Sequence, residues 1–167
     1  METDAYDAAQ SIFRGTFDLA DIVFLIILLF LLLCSALASA SEVAYFSLSP
    51  GELEKLKEKG YDKVANLHQK PNLLLSTILI TNNFVNVGIV ILSTYLVNSL
   101  FDFSGNPVLG FIIQVIGVTF IILLFGEIIP KLYANRSQVK MAIFMAGPLT
   151  FLTYLFRPLS TLLIRST

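Results

Sequence analysis

The chain has 167 residues, of which 56% are hydrophobic and only 14% charged, with a formal net charge of −1. Soluble domains carry about 25% charged residues, so this composition excludes an ordinary soluble domain; with no basic patch it also excludes a nucleic-acid binder, and one all-α integral membrane domain is expected. A single cysteine, Cys34, excludes an internal disulfide or a thiolate metal cluster and is read as packing.

Residues 1–20 form an acidic tail, and Glu2, Asp4, Asp7, Asp18 and, at its border, Asp21 face one base, Arg14. That flank argues against a cleaved signal peptide, which starts with a basic region, although Ala36-Leu37-Ala38 and Ala38-Ser39-Ala40 resemble cleavage sites. The first span is expected over 21–45, because Ile22 to Ser41 holds no charge and a crossing needs about 20 apolar residues. Its second half, Cys34 to Ser41, consists mostly of small residues that permit close helix approach. Residues 46–71 mix charges of both signs. Leu53, Leu56, Val64 and Leu67 lay out one apolar face interrupted at Gly60, which predicts a helix-turn-helix at the membrane surface. His68 is the one histidine, and with no second imidazole it is given no metal-ligand role.

The second span falls in 72–101, longer than a perpendicular crossing requires, so it must tilt, bend or protrude. A short loop, 102–107, leads to a third span over 108–130. Pro130 has no N–H for the Gly126 carbonyl and its ring crowds that group, so the helix is expected to bend or open there, freeing the Gly126 oxygen beside the Glu127 carboxylate. A plain helix end with a proline stop has the same spacing. Residues 131–167 are expected to lie along the interface as a belt. Pro148, Arg157 and Pro158 interrupt that apolar stretch, and Phe144, Phe151, Tyr154 and Phe156 suit an interfacial position. The first loop holds lysines at 55, 57, 59, 63 and 70, and the second loop holds no base. Lys131, Arg136, Lys140, Arg157 and Arg165 follow the third span. This distribution predicts three spans rather than four in the cell (inner) membrane, with the N-terminus outside and the C-terminus cytosolic.

Polar groups inside spans are costly and therefore informative. Ser35 and Ser39 share a face of the first helix; Asn82 and Asn86 share a face of the second, with Thr77, Thr81 and Asn83 nearby; the third helix brings Gly126 and Glu127. Neutral oxygens, one carboxylate and a free carbonyl suit Mg²⁺, which takes six oxygens at about 2.0–2.1 Å. The plain alternative is polar glue between helices, worth roughly 0.6–2 kcal/mol per hydrogen bond. That alternative is at least as good for Ser41 and Asn83. For Ser39, Asn82, Asn86 and Glu127, recurrence in all three spans favours an ion site. There is no His-Glu-x-x-His helix and no serine-histidine pair in the spans, so an enzyme is not expected.

Three segments in order, Ser39-Ala40-Ser41-Glu42, Leu75 to Asn83 with Val85-Asn86, and Gly126-Glu127-Ile128-Ile129-Pro130-Lys131, resemble the transmembrane domain of the CorC/CNNM (cyclin M) magnesium transporters. The resemblance covers nearly all of the chain. It implies a homodimer of three-span subunits with a juxtamembrane helical belt on the cytosolic side. It implies Mg²⁺ coordination by Ser35, Ser39, Asn82 and the Gly126–Glu127 region, and Mg²⁺ efflux by alternating access with Na⁺ as a candidate coupling ion. Pro130 would supply the conformational bend. Ala40 and Thr81 stand where the family commonly carries glycine. Cytosolic CBS modules are expected in the full-length protein, membrane lipids are the expected surroundings, and no nucleic-acid partner is implied. The alternative from another class is a membrane scaffold or sensor that binds magnesium without moving it.

Overall fold

Lipid offers no partner for backbone N–H and C=O groups, so apolar runs of this length become helices that satisfy those groups internally. The computed structural model describes residues 18–157, as helices joined by short turns. In chain order these are α1 (Leu19–Phe46), α2 (Pro50–Glu58), α3 (Asp62–His68), α4 (Pro71–Leu100), α5 (Pro107–Arg136) and α6 (Gln138–Leu155). Three of them, α1, α4 and α5, are long and apolar enough to cross a membrane. The third helix was expected to end at 130; it continues to Arg136. Expectations about the acidic tail ahead of Asp18, and about Pro158 and Arg165, lie outside the described residues.

α1 is the central element and packs against α4, α5 and α6. At the end remote from α2, Asp21 is buried at 2% exposure. Its Oδ1 accepts from Ser99 Oγ at 2.7 Å and its Oδ2 from the Asp18 N–H at 3.1 Å. The carboxylate thus caps the start of α1, where an acid is also favoured by the helix dipole, and ties it to the end of α4. Phe24 meets Tyr95 edge-on nearby, with centroids 4.6 Å apart.

The opposite, juxtamembrane end is built from the polar segment. Ser49 caps α2 by a reciprocal pair: the Glu52 N–H donates to Ser49 Oγ at 3.3 Å, and the Ser49 N–H donates to Glu52 Oε2 at 2.8 Å. Pro50 occupies the first turn, where its missing N–H costs nothing. Gly60 turns the chain into α3 with φ +82°, a left-handed conformation that side chains resist. Leu56, Val64 and Leu67 are buried as expected and Leu53 packs against them. They join Ala40, Ala44, Tyr45, Leu74, Ile78, Ala134 and the α6 residues Ala142, Met145, Ala146 and Leu149 in one core.

The course of α6 follows from what its two ends touch. At its start, Gln138 Nε2 donates to Glu52 at 3.2 Å. Towards its end, Thr150, Thr153 and Tyr154 lie beside Lys63, Asn66 and Leu74. An 18-residue helix is about 27 Å long, yet both ends meet residues of the juxtamembrane segment. α6 therefore runs along that end of the bundle as a belt and does not cross. One expectation is corrected: Pro148 does not break the segment but lies inside a continuous helix. Burial of Ala142, Met145, Ala146 and Leu149, together with the bond from the Tyr45 hydroxyl to the Ala142 carbonyl at 3.0 Å, outweighs the lost hydrogen bond of the proline.

Tyr45→Phe should cost about 0.5–1.5 kcal/mol in thermal or denaturant unfolding, the net value of one intramolecular hydrogen bond, with helix content unchanged. In a Cys34→Ala background, Arg157→Cys should react with an impermeant maleimide from the same membrane side as Lys59→Cys and from the opposite side to Gly105→Cys. Labelling of Arg157→Cys together with Gly105→Cys would mean that α6 crosses.

Candidate functional site

The bundle has two apolar cores with a polar layer between them. Val85, Ile89 and Ile122 form the smaller core within the spans, flanked by Leu28, Leu31, Leu32 and Cys34; the larger one lies at the juxtamembrane end. Following each helix from one core to the other passes Ser35 on α1, Asn82 on α4, with Asn86 one turn on at the edge of the smaller core, and Gly126 and Glu127 on α5. The three helices meet at this level.

Ser35 is fully buried, at 0% exposure. Its Oγ lies 2.9 Å from Asn82 Oδ1 and 2.7 Å from Asn86 Oδ1. A hydroxyl carries one proton and can donate it to one acceptor at a time. Three oxygens therefore converge around a single proton, unless one amide is turned to present its nitrogen, an orientation set by the network rather than by shape. Asn82 Nδ2 in turn donates to Glu127 Oε1 at 3.5 Å, at the long limit of a hydrogen bond. Among the described residues Glu127 has no other polar partner. Lys131, one turn further along α5, pairs with Glu42 on α1, its Nζ 3.1 Å from Glu42 Oε2. Among the described residues the carboxylate of Glu127 is thus left without a cation.

α5 reaches Ser35 because residue 126 is glycine. A Cβ there would stand 3.0 Å from Ser35 Oγ and 3.5 Å from Ser35 Cβ. The backbone at this point is unusual: Ile122–Ile128 winds as a π-helix, as Ile112–Gly117 does earlier in α5. Such turns are rare and collect at functional sites. They also revise the expectation for Pro130. The backbone does not open at the proline: Ile128 (φ −66°, ψ −57°) and Ile129 (φ −59°, ψ −47°) keep helical angles, and Pro130 sits in the first turn of the α-helical stretch Ile129–Arg136. The distortion is carried one turn earlier, in the π-wound stretch Ile122–Ile128.

Of the residues singled out from the sequence, Ser35, Asn82, Gly126 and Glu127 come together. Ser39 lies one turn from Ser35, 1% exposed, and its Oγ is buried without a hydrogen-bond partner. Such an orphan hydroxyl normally costs about 1–3 kcal/mol. Asn86 was grouped with Asn82 on the sequence but left outside the ligand set; its Oδ1 makes the shorter contact with Ser35. Ser41 behaves as glue, donating to the Leu37 carbonyl at 2.6 Å. Thr81 donates to the Thr77 carbonyl and Asn83 is exposed. Sequence reasoning missed the Glu42–Lys131 pair and the buried role of Asp21; only the spacing of Asp18 and Asp21 hinted at a cap. Among the described residues no three His, Cys, Asp or Glu side chains gather. The polar layer is an oxygen site with one carboxylate, suited to a hard cation rather than to zinc or copper.

Comparison with known proteins agrees with this architecture. The cyclin M transmembrane N-terminal domain family, CNNM, matches residues 26–167, and the chain belongs to it. It is 36% identical over 137 residues to a UPF0053 protein of Haemophilus influenzae, covering 80% of this chain and 31% of that relative. It is 31% identical over 123 residues to the metal transporter cnnm-4 of Caenorhabditis elegans (67% and 25%), and 29% identical over 140 residues to a polyamine export protein of Haemophilus influenzae (77% and 32%). The chain spans about a third or less of the length of these curated relatives.

Gly126→Ala should force α5 away from Ser35. We expect it to destabilise the bundle by about 1–3 kcal/mol, the usual range for overpacking, and to weaken cation binding, measured by thermal unfolding and by titration calorimetry on the same preparation.

Proposed function

We propose that this chain is the ion-translocating part of a magnesium transporter and that Ser35, Ser39, Asn82, Asn86, the Gly126 carbonyl and Glu127 receive the ion. The observation that carries this reading is the polar layer itself: two asparagine amides converge on the buried Ser35 hydroxyl, and a carboxylate beside them has no cationic partner among the described residues. Adjacent ligands of an octahedral Mg²⁺ stand about 2.9 Å apart, given bonds of about 2.0–2.1 Å. The contacts at 2.7 and 2.9 Å around Ser35 match that edge. The ion could replace the shared proton contacts with little movement of side chains, and the orphan Ser39 hydroxyl would gain a partner.

The roles follow from the chemistry of each group. Hydroxyl and amide oxygens replace water around the ion, and Glu127 offsets part of the divalent charge in a medium of low dielectric. Gly126 lets α5 approach. The π-wound stretch supplies an element whose hydrogen-bond register can change, supporting a shift of α5 during alternating access. In this reading the transport is efflux, Na⁺ is the coupling ion, the juxtamembrane helices and α6 face the cytosol, two copies form the working unit, and CBS modules lie in the remainder of the full-length protein. The names of relatives support cation transport broadly, and one of them points to polyamines. A single carboxylate with short, converging neutral oxygens favours a compact divalent ion over an extended polyamine.

Titration calorimetry should show saturable Mg²⁺ binding that Glu127→Gln weakens about tenfold or more and Asn86→Ala weakens by a comparable factor, within the range known for groups supporting a metal site. Spermidine should compete poorly. Binding unchanged in both variants would remove the site. Binding without saturable flux by the full-length protein in liposomes would favour the scaffold or sensor reading.

A further inference from the structure

Away from the polar layer, a cavity of about 280 Å³ opens where α3, the start of α4 and the end of α6 meet. Its walls carry three bases, Lys63, Lys70 and Arg157, with Asn66, Thr153 and Tyr154, and among the described residues no acid lines it. Neither Lys63 nor Lys70 has a carboxylate partner among the described residues. Lys70 is also the N-cap residue of α4, a 30-residue helix whose first turn holds no acid and receives no side-chain cap. The positive end of that helix prefers negative charge, so the two lysines beside it are the wrong sign for it unless an anion sits between them. Thr153 Oγ1 adds a buried hydroxyl with no partner in the wall.

We propose that this cavity binds the phosphate of an anionic phospholipid at the membrane surface on the side of the juxtamembrane helices. A phosphodiester oxygen would take charge-assisted bonds from Lys63 and Lys70 and the free N–H groups at the start of α4. The position decides for lipid as the source. The cavity lies at the first turn of a membrane-crossing helix, and the α6 side chains beside it, Phe151, Tyr154 and Leu155, are 66%, 78% and 54% exposed. They give acyl chains an apolar surface and place an aromatic ring at headgroup level. Basic pockets at this depth are where anionic headgroups bind. The inference rests on the three-span topology and not on the ion site, so the two can fail separately.

The test is native mass spectrometry of the chain taken from phosphatidylcholine bilayers doped with phosphatidylglycerol. The wild type should retain phosphatidylglycerol selectively, and Lys63→Gln with Lys70→Gln should lower retention about fivefold for each base removed, with melting in pure phosphatidylcholine unchanged. Lys63→Arg with Lys70→Arg should restore it. Lys57→Gln with Lys59→Gln removes the same charge elsewhere on the juxtamembrane segment and should leave retention intact. Equal loss in the two glutamine pairs, or loss in neither, would overturn the proposal. So would full displacement of the lipid by excess inorganic phosphate, which would make the site one for free phosphate.

Discussion

Within lipid a hydroxyl has no water to turn to, so Ser35 must find its partners on neighbouring helices, and the arrangement of the three spans follows from how it does so. Its oxygen touches two asparagines of α4 on one side and lies against the α-carbon of Gly126 on the other. Ala38 and Ala40 on the same helix are buried and keep α1 slim enough to stand between α4 and α5. A larger side chain at 35 or at 126 would separate α1 from α5, and Glu127 would then move away from the amides. The polar layer thus fixes helix positions and, with the same contacts, gathers the oxygens proposed to receive the ion.

The two cores contribute in different ways. The hydrophobic effect requires transfer from water, and lipid tails are as apolar as leucine, so burial of Val85, Ile89 and Ile122 between helices gains mainly packing. At the juxtamembrane end water is the alternative environment. There Tyr45, Leu74, Ile78, Val64 and Leu149 are almost wholly buried, each worth on the order of 1.5–3 kcal/mol against exposure. Stability is concentrated below the polar layer and is weakest at and above it. An element that would shift in the proposed transport cycle is expected to come from the less stable part of a structure, and the π-wound turns of α5 lie there.

Much of the site was legible because polar residues inside apolar runs are expensive enough to need a reason. Ser35, Asn82 and Glu127 stand out on cost alone, and the face shared by Asn82 and Asn86 follows from the helical period. What the sequence could not show was which side chain of a neighbouring helix each would meet, so Asn86 was undervalued. The π turns were hidden for a different reason: in an almost uniformly apolar segment, α and π windings leave the same pattern. Pro130 and Pro148 misled because a local rule, the missing N–H, was applied without the packing that overrides it. Asp21 looked like one more acid of the tail, since its burial depends on Ser99, far away in sequence.

Electrostatics around α5 link the site to the juxtamembrane end. Glu127 and Lys131 are four residues apart, a separation at which side chains on one helix face are neighbours. A lysine beside Glu127 would neutralise the one formal charge in the polar layer and repel an arriving cation. In the structure Lys131 is held by Glu42 instead. That ion pair ties α1 to α5 just below the polar layer, and with both partners about a third exposed its own contribution to stability is small. Its larger consequence is for Glu127, whose charge would remain available to the proposed ion only while Glu42 holds the lysine.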